Sequence, residues 1–341
     1  MRKFGVEIEA LGIAGYQAVR ALTEAGIAAR DESHTHRATR GISEWSVVYD
    51  GSLHSSNSFE AVAPPGHDLV TVRKAVRALR AAGATVGESC GLHVHVDANG
   101  MSLESIRRLH RLWLRVQGAV RAFLPRSRKD AYYARNNFPR SPYRTMAETD
   151  AALAGAETIE DIAHEACGGR GESFRYHKLN TQSYWKHGTF EFRCHQGTLN
   201  AMKVSNWIQF CQRIVALAED TTFDIGAPEA WTLDRVLAIV FPEEGIETGT
   251  IEPIHGFSRP RAGTRSARLW EIFDAAPGPV ANFRYLVTQG FSWHVVRGRH
   301  SEWSRRAGTV ATVATVASPA RARSASAQAR AYYLDAARRY A

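Results

Sequence analysis

Three short stretches combine residue types and spacings suited to metal-dependent chemistry. They are Phe4-Gly5-Val6-Glu7-Ile8-Glu9, Gly91-Leu92-His93-Val94-His95-Val96-Asp97 and Thr189-Phe190-Glu191-Phe192-Arg193-Cys194-His195. Each alternates with a period of two, the side-chain period of a β-strand. The pattern sets Glu7 and Glu9 opposite Phe4, Val6 and Ile8, and His93, His95 and Asp97 opposite Leu92, Val94 and Val96. It sets Glu191, Arg193 and His195 opposite Phe190, Phe192 and Cys194. A strand face turned to bulk water accepts Lys, Thr, Ser or Glu alike; these faces carry carboxylates, imidazoles and one guanidinium. We read the three stretches as strands of one sheet. Their apolar faces pack on helices, and their polar faces together form a concave, metal-binding active site.

The donor types narrow the metal. Carboxylate oxygens dominate and the cysteines do not converge, which favours Mg²⁺ or Mn²⁺ over structural zinc. A zinc site from Cys90, His93 and His95 is the alternative, but it leaves Glu7 and Glu9 without a purpose. Two carboxylates 4 Å apart repel by about 4 kcal/mol at an effective dielectric near 20, and a bound cation relieves that. Such a site with one permanently charged arginine suits phosphoryl transfer: metals clamp nucleotide phosphates while Arg193 meets the charge that develops. Taken singly, each stretch has a plainer explanation. Glu-x-Glu is commonly a solvated face, two histidines among valines a satisfied core or edge pair, and Glu-x-Arg a cross-strand ion pair. Three such faces in one chain make the plain explanations jointly weak.

The intervening segments supply the frame. Helical spacing of apolar residues marks residues 14–25, 67–82, 102–124 and 199–217, with Ser102 as an N-cap. Short helices are predicted at about 147–154 and 158–167. Two β-like runs, Glu44–Tyr49 and Ser58–Ala63, flank Asp50-Gly51, a turn signal. Residues 28–42 read as an exposed polar loop containing His34 and His36. Residues 126–146, rich in Arg and Tyr and including Arg128, Arg135, Arg140 and Arg144, read as a long functional loop binding acidic groups through arginine forks. Residues 175–182 read as a strand that turns through Lys186-His187-Gly188 into the third stretch as a hairpin. After about residue 245 the pattern weakens; 307–329 is low in complexity, partial disorder is expected, and a final short helix is expected at 325–340.

With 44% hydrophobic and 23% charged residues, the 341-residue chain has the composition of a globular protein. No apolar run approaches the roughly 18–20 residues of a membrane span, so no membrane partner is expected. The first strand begins at once, so a cleaved leader is not expected either. Four cysteines without CxxC spacing read as free buried thiols and suit a reducing cytoplasm. The formal charge of +9 is concentrated in residues 255–341, which hold 14 arginines against 4 acids. That tail admits a nucleic-acid role, ranked below the active-site reading.

The motifs occur in a specific order. Phe4–Glu9 is followed by Trp45-Ser46-Val47-Val48-Tyr49-Asp50-Gly51-Ser52 and Phe59-Glu60-Ala61-Val62-Ala63-Pro64-Pro65. Then come Cys90–Asp97, Lys178-Leu179-Asn180, and Thr189–Arg193 with Gly197-Thr198-Leu199. This series, over about residues 3–220, resembles the amidoligases, in the carboxylate–amine ligase branch of the glutamine synthetase and glutamate–cysteine ligase superfamily. The resemblance implies an α+β fold: an antiparallel, funnel-like half-barrel sheet backed by helices, with ATP and Mg²⁺ in its mouth. It implies metal ligation by Glu7, Glu9, Glu60, His95 and Glu191, and ligand-shell or phosphate-side roles for His93 and Asp97. Arg193 becomes the phosphate-stabilising arginine, and Asp50, Lys178 and Asn180 fall to substrate or nucleotide binding. The catalytic set is then Arg193, Glu191, Glu60 and Asp50. The chain departs from the pattern at Ala61-Val62-Ala63, where a serine is expected near the prolines, at the extra imidazole His195, and beyond residue 245, where nothing matches.

The expectation is a catalytic domain over 1–245 and a basic extension over 246–341. Its activity would be ATP-dependent ligation of a small-molecule or peptide carboxylate to an amine through an acyl phosphate, with a homo-oligomer compatible with such sheets. The rivals are a metal-dependent hydrolase or phosphoesterase, and a nucleic-acid-binding protein acting through its tail.

Overall fold

The computed structural model describes residues 1–35, 43–53, 57–66, 68–129, 131–138 and 144–242, and the backbone of two strands at 291–295 and 301–305. The chain divides into compact units Met1–Arg305 and Arg306–Ala341, and the second lies outside the described residues. So do His36, Arg140, the low-complexity stretch and the helix expected at 325–340.

Alternation produces the strands as expected. In chain order these are β1 (Phe4–Leu11), β2 (Ala29–Glu32), β3 (Trp45–Val48), β4 (Ser58–Val62), β5 (Gly91–Asp97), β6 (Leu179–Asn180) and β7 (Thr189–Gln196). They form one open, mostly antiparallel sheet in the order β2-β3-β4-β1-β5-β7-β6, with β2 and β3 the parallel pair. β8 (Phe291–Val295) and β9 (Ser301–Arg305) make a separate antiparallel ladder, a regular element not expected in the tail.

The helices among the described residues are α1 (Gly15–Glu24), α2 (Leu69–Ala81), α3 (Leu103–Phe123), α4 (Arg126–Lys129), α5 (Met146–Gly155), α6 (Ile159–Cys167), α7 (Ser183–His187), α8 (Ala201–Glu219) and α9 (Leu233–Val240). Ser102 caps α3 by accepting from Ser105 N–H at 3.1 Å, and Asp68 and Asn200 cap α2 and α8 likewise. Val6, Ile8, Leu92, Val94, Phe190 and Phe192 are fully buried in one core with Leu79, Leu112, Trp113, Trp207 and Phe210 of the helices. Each such side chain contributes about 1.5–3 kcal/mol by leaving water. The apolar half of every alternation is thereby consumed, and the polar half faces the other way.

Four expectations need correction. Residues 29–32 form a strand, not a loop: Ala-Arg-Asp-Glu lacks apolar alternation, yet its backbone pairs with β3 from Ala29↔Trp45 to Glu32↔Val48. The strand expected at 175–182 is two residues long, and α7 rather than a tight turn leads into β7, closed by Gly188 in the left-handed region (φ 66°). Residues 126–138 are not an open loop. Asn137 is buried, and its side chain accepts from Trp113 Nε1 and Leu179 N–H (both 2.9 Å) and donates to Leu179 O (2.8 Å), prolonging the ladder at β6. Last, His195 is not on the open face. Val94 pairs with Phe192 but Leu92 with His195, so β7 carries one extra residue between those pairs. This bulge turns His195 to the helix side, its ring 5.2 Å from that of Trp207.

Candidate active site

Register brings the polar residues together. Glu7 lies opposite His93, Glu9 opposite Glu60, His95 opposite Glu191, and Asn180 opposite Glu191 on the far side. Five adjacent strands, β4, β1, β5, β7 and β6, thus contribute to one patch, beneath a cavity of about 1320 Å³. Glu7, Glu9, Asp50, Glu60, His93, His95, Asp97, Asn180, Glu191 and Arg193 all line it.

Lys178 does not. It is 0% exposed, and its ammonium donates to Lys129 O (2.9 Å), Ala134 O (3.1 Å) and Asn136 Oδ1 (2.6 Å). Two residues from Asn180 in sequence, it pins the 129–136 segment, and the ligand role expected for it has no geometry behind it. Asp97 reaches the cavity, with Oδ1 accepting from Asn99 N–H (3.1 Å) and Nδ2 (2.7 Å) at the strand exit. Of the predicted arginine-rich loop, Arg128 lines the cavity, whereas Arg144 does not and pairs with Glu165.

The two imidazoles sit among carboxylates. His93 Nδ1 is 3.1 Å from Glu7 Oε2 and 3.5 Å from Glu191 Oε1, and its Nε2 is 3.4 Å from Glu9 Oε1. His95 Nε2 is 3.2 Å from Glu7 Oε1 and 3.8 Å from Glu191 Oε1, and makes no hydrogen bond among the described residues. Its Nδ1 lies 2.9 Å from Thr189 Oγ1 and 3.2 Å from Ser183 Oγ. Those hydroxyls orient the ring, and with Nδ1–H donating to either of them, a lone pair on Nε2 is left facing the carboxylates. Thr189 and Ser183 escaped the sequence reading. Thr189 shares its parity with Glu191 and Arg193, so the same alternation marks it; nothing in the sequence marks Ser183.

Glu191 is the hub of the far side. Asn180 Nδ2 donates to its Oε2 (2.6 Å), and Arg193 Nη1 donates to Oε1. Glu9 Oε2 accepts from Gly91 N–H at 2.5 Å. A Cβ on Gly91 would meet Arg128 Nη2 at 2.1 Å and His93 Nε2 at 2.6 Å, so a side chain there would displace them.

Burial raises the Glu7 carboxyl, but His95 and His93 outweigh it and hold the group well below its ordinary range. For Glu191 burial is likewise overcome, by Arg193 and the two histidines, and its pKa is lowered. Glu60 has no such relief. Burial, then Glu7, Glu9 and Asp50, push it well above the carboxylate range. His95 is raised: burial opposes its charge, and Glu7 and Glu191 more than compensate.

Three overlapping donor groups have ligand atoms within 4.8 Å of one another: Glu7, Glu60 and His93; Glu7, His95 and Glu191; and Glu9, Asp50 and Glu60. Mutual repulsion at Glu60 and the lone buried nitrogen of His95 both fit a cation taking the proton's place. Cys90 belongs to none of these groups. Its Sγ accepts from Gly87 N–H (3.4 Å), and burial raises the thiol to about 11. All four cysteines are free and buried, as expected. No helix among the described residues is long and apolar enough to cross a membrane.

An open sheet whose polar face gathers carboxylates, imidazoles and arginines into one cavity has the makings of an enzyme that handles cations and anionic groups together. The sequence model of the family described as "putative amidoligase enzyme" matches residues 1–215, and the chain belongs to that family of ligase-type enzymes. A search of curated proteins returns no match.

Proposed function

We propose that this protein is an ATP-dependent carboxylate–amine ligase. The γ-phosphoryl group of ATP passes to a carboxylate of a small molecule or peptide, and an amine then displaces phosphate from the acyl phosphate to leave an amide. The observation that carries this reading is the convergence of Glu7, His95 and Glu191 around one point, with Arg193 bonded to Glu191 at its edge. Membership of the amidoligase family supports it. Bound Mg²⁺, with Mn²⁺ an equal candidate, would screen phosphate charge and polarise the transferring group.

The chain's own residues divide the work. Glu7, Glu9, Glu60, His95 and Glu191 hold cations; Asn180 fixes Glu191, and Thr189 and Ser183 fix His95. Arg193 keeps its charge, since Glu191, Glu7 and Glu9 outweigh the effect of burial, and it meets negative charge as that develops on the phosphoryl oxygens. His93, Asp97 and Asp50 complete the wall. The rim carries Arg170 over the Trp185 ring at 4.6 Å, with Arg175 and Lys186 nearby in the lining, and each of these cations is paired with Glu160 or Glu172. In this reading the open sheet is the half-barrel of the glutamine synthetase superfamily, and the protein works in the reducing cytoplasm.

The test is structure determination with Mg-ATP, together with an assay of ADP release that requires both a carboxylate and an amine. Metal and phosphate density over Glu7, Glu9, His95 and Glu191 is expected. Failure to bind nucleotide, together with hydrolysis of simple esters by metal and water alone, would replace the ligase by a hydrolase.

A further inference from the structure

Arg128 is 5% exposed, lines the cavity, and leaves both Nε and Nη2 without a hydrogen-bond partner among the described residues. Buried guanidinium groups are ordinarily saturated, because a charge taken out of water with vacant donors loses its hydration uncompensated. Arg115, 0% exposed, shows the ordinary case. Its nitrogens donate to Asp150 Oδ1 (2.6 Å), Arg111 O (2.8 Å), Gly226 O (2.8 Å) and Ala227 O (3.1 Å). Arg128 lacks such partners at Nε and Nη2 among the described residues. α4 brings it over the start of β5, where only the bare Cα of Gly91 lets Nη2 approach. Arg193, reaching the same cavity from β7, likewise has an unpartnered buried Nε. The two are close enough for each to feel Glu9, and for Arg193 to add to burial in lowering the pKa of Arg128.

We propose that Arg128 and Arg193 together form a receptor for one phosphoryl oxyanion, held from two sides. A carboxylate presents two oxygens in a plane and is satisfied by a single guanidinium fork. Two guanidiniums on different elements, each with a vacant N–H, match a tetrahedral group whose oxygens point in several directions. Arg193 alone is a poor receptor because Nη1 is committed to Glu191. Arg128 supplies the uncommitted charge, offsetting carboxylates that would otherwise repel an anion. The subsite stands on the vacant donors and the close approach at Gly91; the identity of the anion rests on the phosphoryl-transfer reading above.

The test uses the full chain and two probes. Inorganic phosphate, and separately acetate, are titrated calorimetrically into Mg²⁺-saturated wild type, R128Q and R128K, with Mg²⁺ itself titrated into each protein first. Phosphate is expected to bind the wild type, at least tenfold more weakly to R128Q, and with intermediate affinity to R128K, which keeps charge but loses the fork. Acetate affinity should not depend on residue 128, and Mg²⁺ affinity should stay within about threefold. R128K guards against misfolding of the neutral variant. Equal phosphate affinity across all three proteins, or no phosphate binding to the wild type, overturns the proposal. A loss confined to acetate overturns the phosphoryl assignment. Absent Mg²⁺ binding with Arg128-dependent phosphate binding intact would sink the metal reading and leave the subsite standing.

Discussion

Behind the sheet, His110 and His195 are sealed among apolar groups; in front of it, His93 and His95 are nearly as buried but stand among carboxylates. Burial lowers His110 to about 4, with Ile106 O and Thr181 Oγ1 each 2.9 Å from the ring, and lowers His195 to about 3, with Gln196 O at 2.7 Å. His95 is raised because Glu7 and Glu191 overcome burial. The arginines divide the same way: Arg115 behind the sheet is saturated, whereas Arg128 in front of it has nitrogens to spare. His110 and Arg115 thus meet partners within the fold behind the sheet, whereas Arg128 and His95 in front leave nitrogens for something that arrives.

That contrast can be broken from either side. The largest effect should come from the front. Arg193→Ala and Glu191→Gln, which keeps the size and an acceptor oxygen of Glu191, are each expected to lower ligation by about 10³-fold or more, with circular dichroism close to wild type. Near-normal amide formation in either would show that this face is not the active one. Behind the sheet the costs should reverse. Asp150→Ala strands Arg115 without its carboxylate and should cost about 3–5 kcal/mol in denaturant unfolding, with activity per folded molecule unchanged.

The core histidines predict a smaller, pH-dependent term. The folded pKa of His110 lies below its unfolded value of about 6.5, so the unfolded chain takes up protons first as pH falls. Stability is whole above about pH 6.5 and declines toward pH 4, by about 3 kcal/mol for His110. His110→Gln should flatten that slope in unfolding curves at pH 7 and 4.5; an unchanged slope would mean that the ring is not sealed. The smallest effect sharpens the comparison. Glu60→Gln relieves repulsion with Glu7, Glu9 and Asp50, and should stabilise the metal-free protein by about 1 kcal/mol. The same change should reduce the rise in Tm on adding Mg²⁺, and an undiminished rise would remove Glu60 from the cation site.

Much of this was legible beforehand. Alternation over Phe4–Glu9 and Gly91–Asp97 reports strand and face together, because side chains of a regular strand alternate without exception. Register then needs little more, since slipping by one residue would expose Val6 and Val94 to the cavity. The failures share a cause. His195 was assigned by parity, and one inserted residue in β7 reverses parity beyond it. The resemblance gives Lys178 a ligand role, yet the carbonyls of Lys129 and Ala134 that claim its ammonium lie more than forty positions away. β2 has no pattern of its own and exists because β3 offers it an edge.

The sequence by itself determined which residues alternate, hence the strands, the apolar layer behind them and the carboxylates and imidazoles in front. Those are local consequences of a two-residue period and of the cost of exposing apolar surface. Only the tertiary structure decided where the bulge falls, which lysine is structural, and that Arg128 stands over Gly91 with empty donors. Each depends on backbone groups distant in sequence, and no spacing along one strand encodes what another segment brings to meet it.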